Sequence, residues 1–280
     1  MSRTVIILSA SLLSASLLSL NDVEASVAQK AVETVSAEIE TEAGAQNEVV
    51  PEEEASKATR FQKAFLKRQV DEAMSVGRAI RSISSHYPQD VVSVVDIALD
   101  TYPEKYREII FAAISAQPSS TEEIVKLAIE KEVSSCPNIV KLAITAEPTY
   151  VDFVVHAAAM ATPEELDEIV RVAVLTQPDS ADSIVQTLSQ EHPNKIVEIM
   201  TSALNAVAFV GEYVVDALLA VFPNKAEKVV ETAVRESSQQ REHVMRILNT
   251  ANNSGVSKIK LKEYAQSAGL SESDFASAVK

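Results

Sequence analysis

The chain has 280 residues, a formal net charge of −15, 46% hydrophobic residues, five glycines, one cysteine and no tryptophan. A single cysteine excludes an internal disulfide, and the surplus of acid speaks against a nucleic-acid partner, whose binding rests on cations that meet phosphates. So few glycines leave no loop in the body of the chain that could bring backbone amides up to a phosphate.

The first residues, Met1-Ser2-Arg3 followed by the apolar, serine-rich run Thr4 to Leu20, have the basic start and apolar middle of a secretory signal, and Val23-Glu24-Ala25 offers small residues for cleavage. Residues 1–25 are therefore expected to be a signal peptide and the protein to be exported, periplasmic or secreted. The alternative is a membrane anchor by an uncleaved N-terminus, although the run is shorter than the roughly twenty residues a spanning helix needs. Residues 26–57 hold eight glutamates against two lysines and read as an acidic flexible linker. Val27, Ala31, Val32, Val35 and Ile39 there also fit a short amphipathic segment. In residues 58–87 the balance reverses. Arg60, Lys63, Lys67, Arg68, Arg78 and Arg81 accompany Phe61, Phe65, Leu66, Val70, Met74, Ile80 and Ile83 at helical spacing, which predicts one or two helices capping the body.

The body, residues 88–252, is a repeat. Prolines stand at 88, 103, 118, 148, 163, 178, 193 and 223, always fifteen residues or a multiple apart, with gaps in the register at Val133 and Ala208. Counting from each register position, offsets six and seven are apolar in all eleven units, from Val94-Val95 to Val244-Met245. Offsets ten and eleven are mostly small or aliphatic, as in Ala143-Ile144. Spacings of three, four, seven and eight make one stripe on an α-helix. Offset one is often Ser119, Ser134, Thr149, Asp179, Asn194 or Asn224, which predicts N-caps. Acids at offset four, Glu122, Asp152, Asp167, Asp182, Glu227 and Glu242, predict capping boxes. Pro137 falls in a first turn, where a missing N–H costs little.

A helix of eleven or twelve residues is marginal alone, so the units must stack. Turns of about three residues make hairpins of thirty residues, and hairpins repeat into two layers. The fold expected is an all-α α-solenoid of about eleven single-helix units, closed at 253–280 by a C-terminal helical hairpin.

Offset eight carries Lys126, Lys141, His156 and Arg171 in four consecutive units. The pairs Glu122–Lys126, Asp152–His156 and Asp167–Arg171 are predicted as helix-surface ion pairs. With alternating layers, Lys126 and His156 share one face and Lys141 and Arg171 the other, making them candidate partner-binding residues. His86, His156, His192 and His243 are scattered and assign no metal site. Cys136, at an inward offset, reads as a small buried hydrophobe. The acids lie at capping positions rather than in an enclosed pocket, and no nucleophile motif appears, so neither catalysis nor a cofactor is expected.

In the tail, Ala265 to Phe275 with Gly269 and Leu270-Ser271 resembles the helix-turn-helix of bacterial DNA-binding proteins. The would-be recognition helix, however, shows Glu272, Ser273 and Asp274, with no cation for a phosphate. The proline-punctuated units resemble those of exported bacterial proteins with fifteen-residue helical repeats and, more distantly, the α-solenoid class. That resemblance implies a fold and an export route and no activity. The function expected is a scaffold for a protein or peptide partner. The alternative is a carrier of a lipid or other apolar ligand held between the layers, with room left by Ala79, Ala158-Ala159 and Gly211.

Overall fold

The computed structural model describes residues 52–73 and 75–280, and the expectations for the signal peptide and for the linker up to residue 51 lie outside them. The described chain is helical throughout, with no strand. An entry helix α1 (Glu52–Ala73) is followed by α2 (Val76–His86), α3 (Val91–Thr101), α4 (Tyr106–Ala116), α5 (Thr121–Glu130) and α6 (Cys136–Ala146). Then come α7 (Val151–Ala161), α8 (Leu166–Thr176), α9 (Ala181–Glu191), α10 (Ile196–Ala206), α11 (Gly211–Val221) and α12 (Ala226–Glu236). The chain closes with α13 (Arg241–Asn253), α14 (Lys258–Ser267) and α15 (Glu272–Ala278). Helix α1 starts at Glu52, so the last residues read as linker form its first turns. Helix α2 starts and ends fifteen residues before α3 and has its length.

The prolines explain why the helices stop where they do. A residue before proline is pushed out of the α region, and Tyr102, Gln117 and Glu147 have φ between −135° and −150° with ψ of 58°, 76° and 90°. Each still donates its N–H to the carbonyl four residues back, Tyr102 to Ala98 at 2.8 Å and Gln117 to Ala113 at 2.9 Å. The proline then opens a three-residue 3₁₀ turn, such as Pro103–Lys105, that runs directly into the next helix.

This turn overturns the capping expectation. Ser119, Thr149, Asp179 and Asn224 sit inside 3₁₀ turns, and no side chain caps α5, α7, α9 or α12. Capping needs an extended N-cap whose side chain can turn back on the first amides, whereas Ser120, Tyr150 and Ser180 have φ near −100° to −111° and ψ of 15° to 20°. Ser134 is replaced as N-cap of α6 by Ser135, which also makes no side-chain cap bond, and Pro137 does lie in that first turn. Side-chain caps form at Ser75 and Ser271, which are themselves extended and follow no proline turn, each 3.2 Å from an amide three residues on.

The two gaps differ. At Ala208 the 3₁₀ turn forms without proline, after an extended Val207. At Val133 the chain instead turns through Glu132 in the left-handed region, φ 50°, with Val133 N donating to Ala128 O at 3.4 Å. Gly255 and Gly269 end α13 and α14 in the same way, with φ of 86° and 76°, a conformation that costs glycine little.

Alternate helices pack side by side, α4 between α2 and α6 and α7 between α5 and α9. The odd-numbered helices therefore form one layer and the even-numbered helices the other. Between them runs a single strip of core. The offset-six and offset-seven pair is buried in every unit except at Met245, which is half-buried. The small inward residues serve close contact: Ala79, Ala158 and Ala159 are fully buried, and a Cβ on Gly211 would come within 3.1 Å of Ile247 Cδ1. Cys136 is buried, its Sγ 3.1 Å from Thr162 Oγ1, and burial pushes its thiol above the ordinary range. The closing hairpin of α14 and α15 packs on α12 and α13.

Candidate functional site

Turns of constant length hold the helices of a layer in a fixed register, so outward side chains on neighbouring helices meet at constant sequence separations. Asp152 accepts from Ser183, 31 residues on. Lys131 reaches Asp100 at 2.6 Å and Asp96 at 2.7 Å, and both carboxylates raise its pKa. Glu122 lies 3.5 Å from His156 Nε2, and Glu212 lies 3.5 Å from Arg246, both 34 residues apart. His156 Nδ1 also meets Glu191 at 2.5 Å. Offset four of one helix thus stands opposite offset eight of the next helix in its layer.

The same register redirects the pairs expected within helices. Glu122 turns across to α7, and Asp152 turns across to α9, because the neighbouring helix offers a partner at close range. Lys126 has Val92 at the equivalent position behind it and pairs with Glu130 in its own helix, at 3.9 Å. Arg171 is held by Glu168. None of the three predicted pairs forms. The four offset-eight residues divide between layers as expected, Lys126 and His156 on α5 and α7, Lys141 and Arg171 on α6 and α8. Lys141 alone of the four has no ion-pair partner among the described residues, and it borders a hollow of about 220 Å³ with Tyr106, Arg107 and Asn138. Arg107 Nε donates to the Tyr106 hydroxyl at 2.9 Å. A hydrogen bond from Ser134 Oγ at 3.3 Å and then the one from Arg107 lower the Tyr106 pKa.

Apolar side chains missed in the sequence complete the picture. Phe153 and Met160 on α7 are 49% and 65% exposed, and Phe209 and Tyr213, at the start of α11, are 51% and 57% exposed. All lie at offsets one, five and twelve, the outward side of the odd layer. Tyr150 packs its ring against Phe153, centroids 5.4 Å apart, and so fixes it in place. Helix α9, between them, presents Ser183, Gln186 and Gln190. The other layer shows Phe111, Leu175 and Ile259 singly, on α4, α8 and α14. The signal was available, since these offsets vary from unit to unit, but nothing in the sequence ranks one layer above the other.

Near the C-terminal end, a groove of about 630 Å³ runs between Pro193-Asn194, Pro223 to Lys225 and Ser254 to Ser257. Lys225 donates across it to the Pro193 carbonyl at 2.5 Å. The acids of the would-be recognition helix are used internally, Glu272 by Lys262 and Asp274 by Arg241. Among the described residues no three His, Cys, Asp or Glu side chains group as metal ligands, and no helix is long and apolar enough to cross a membrane. No family model, curated protein or solved structure matches the chain.

Proposed function

We propose that the protein is an exported, non-catalytic helical-repeat scaffold that binds a protein or peptide partner through the outward face of the odd layer. One observation carries this reading: Phe153, Met160, Phe209 and Tyr213 stand half to two-thirds exposed on that face while the repeat's stacking positions are already filled. Leaving such side chains in water costs about 1.5–3 kcal/mol each relative to burial, and clustered apolar groups rimmed by polar ones mark interaction surfaces. The carboxylates with the clearest pKa shifts are half-buried and ion-paired with arginines, as at Asp274 and Glu168, a structural use of acid rather than the enclosed pair that acid–base chemistry requires.

The test is photo-crosslinking in the protein's own cells, with the crosslinker placed at Phe153 or Tyr213 in one layer and at Lys141 or Asn205 in the other. A discrete, reproducible protein adduct from the odd-layer positions is expected. Absence of any adduct from all four positions overturns the scaffold reading.

A further inference from the structure

The register between neighbouring helices sets like charges opposite each other in both layers: two cations, Arg107 and Lys141, in the even layer, and two acids in the odd layer. Offset four opposite offset eight pairs acid with base at Glu122–His156 and at Glu212–Arg246. Of the two intervening pairs of helices, α7 and α9 set Asp152 opposite the neutral Gln186, and α9 and α11 set Asp182 opposite Asp216, two carboxylates also 34 residues apart. Both are exposed, and neither has an ion-pair or hydrogen-bond partner among the described residues. His156 has a second partner 35 residues on in Glu191, whereas the residue 35 beyond Asp216 is the buried Ala251. Asp179, exposed at the head of α9, adds a third acid. These acids lie between the exposed apolar groups of α7 and those of α11.

We propose, resting on the scaffold reading above, that the outward face of α7, α9 and α11 binds a cationic amphipathic segment of a protein partner. Its apolar residues cover Phe153 with Met160 on one side and Phe209 with Tyr213 on the other, and an arginine or lysine enters between Asp182 and Asp216. The cation fills the role that His156 fills between α5 and α7 and Arg246 between α11 and α13. Charge sign and apolar spacing both select this occupant. Helices in a layer lie about 8–10 Å apart, which puts the two apolar groups roughly 16–20 Å apart. A helical segment rises 1.5 Å per residue, so about 11–13 residues bridge them. The amides of Gln186 and Gln190, without hydrogen-bond partners in the described chain, lie along the path. A cation between two like charges also relieves their repulsion, an energy that binding recovers and that folding alone does not.

The probe is a fluorescein-labelled synthetic helical peptide with leucines three turns apart and two arginines midway, measured by fluorescence anisotropy against its arginine-to-glutamate counterpart. Binding of the arginine peptide is expected to weaken about tenfold in D182N/D216N and by a similar factor in F153A/Y213A, and to weaken further with salt. D167N/E231Q, which removes the same charge from exposed sites on α8 and α12, is expected to bind as wild type does. The D182N/D216N chain should melt at or above the wild-type temperature, because a like-charge contact has been removed, which separates loss of binding from loss of fold. Equal weakening in D167N/E231Q, or no preference for the arginine peptide, overturns the proposal. Adducts in cells from Lys141 or Asn205 alone would overturn this surface and leave the scaffold reading standing.

Discussion

The two gaps in the proline register should respond to proline in opposite ways. At Ala208 the local geometry already matches that of the proline-bearing turns. Val207 is extended at φ −145° and ψ 97°, the 3₁₀ turn Ala208–Val210 is formed, and Val207 N still donates to Ala203 O at 3.0 Å. No hydrogen bond is lost on substitution, so A208P acts mainly by restricting the unfolded chain, for a gain of about 0.4–1 kcal/mol. For a repeat body of this size that is roughly 1–4 °C in Tm. At Val133 the N–H is engaged with Ala128 O, and the preceding Glu132 holds φ 50°. V133P removes that bond, about 0.5–1.5 kcal/mol, and clashes with the left-handed Glu132, because the residue before proline favours an extended chain. It should destabilise by more than about 1 kcal/mol. Urea unfolding followed by far-ultraviolet circular dichroism, with hydrogen exchange at the α5–α6 and α10–α11 connections, reads both effects. Helical repeats unfold through neighbouring units, so the exchange data locate each change. A destabilised A208P, or a V133P as stable as wild type, would refute the view that proline fits this repeat only where the turn is 3₁₀.

The buried hydroxyl of Ser189 has no partner, and the equivalent position one layer-neighbour earlier is Ala159; S189A should therefore stabilise by about 1 kcal/mol, read as a higher urea midpoint with unchanged slope. Asp274 is held down to about 2, first by its bond from Arg241 and then by Ser271. A carboxylate lowered on folding stabilises above its unfolded value near 4, and that contribution is lost as pH falls from about 4 through 2. Amide exchange in α15 should accelerate over that window in wild type, and R241Q should flatten the dependence; an identical profile in R241Q would show that Asp274 does not secure the closing hairpin.

Much of this architecture is local chemistry and was legible in one dimension. Proline every fifteen residues fixes where each helix ends, and paired apolar residues at offsets six and seven fix which side turns inward. Connections of four or five residues then send successive helices to opposite layers. Burial of Cys136 and the separation of Lys126 and His156 from Lys141 and Arg171 follow from those rules. The caps at Ser119, Thr149 and Asp179 did not form, because the dihedral angles of a proline-led turn, invisible to residue type, decide whether a side chain can reach an amide.

What the sequence determined, then, was every feature set within a single unit: period, helix, inward stripe and layer. Only the tertiary structure decided which outward groups meet, because that depends on how far one helix is displaced along its neighbour in the layer. That displacement takes Glu122 away from Lys126 and gives it to His156, and it draws Asp100 onto Lys131. It also sets Asp182 opposite Asp216 between two exposed aromatic groups. An ion pair depends on distance in space across a hairpin of thirty residues, and the repeat fixes that distance only once the helices have packed.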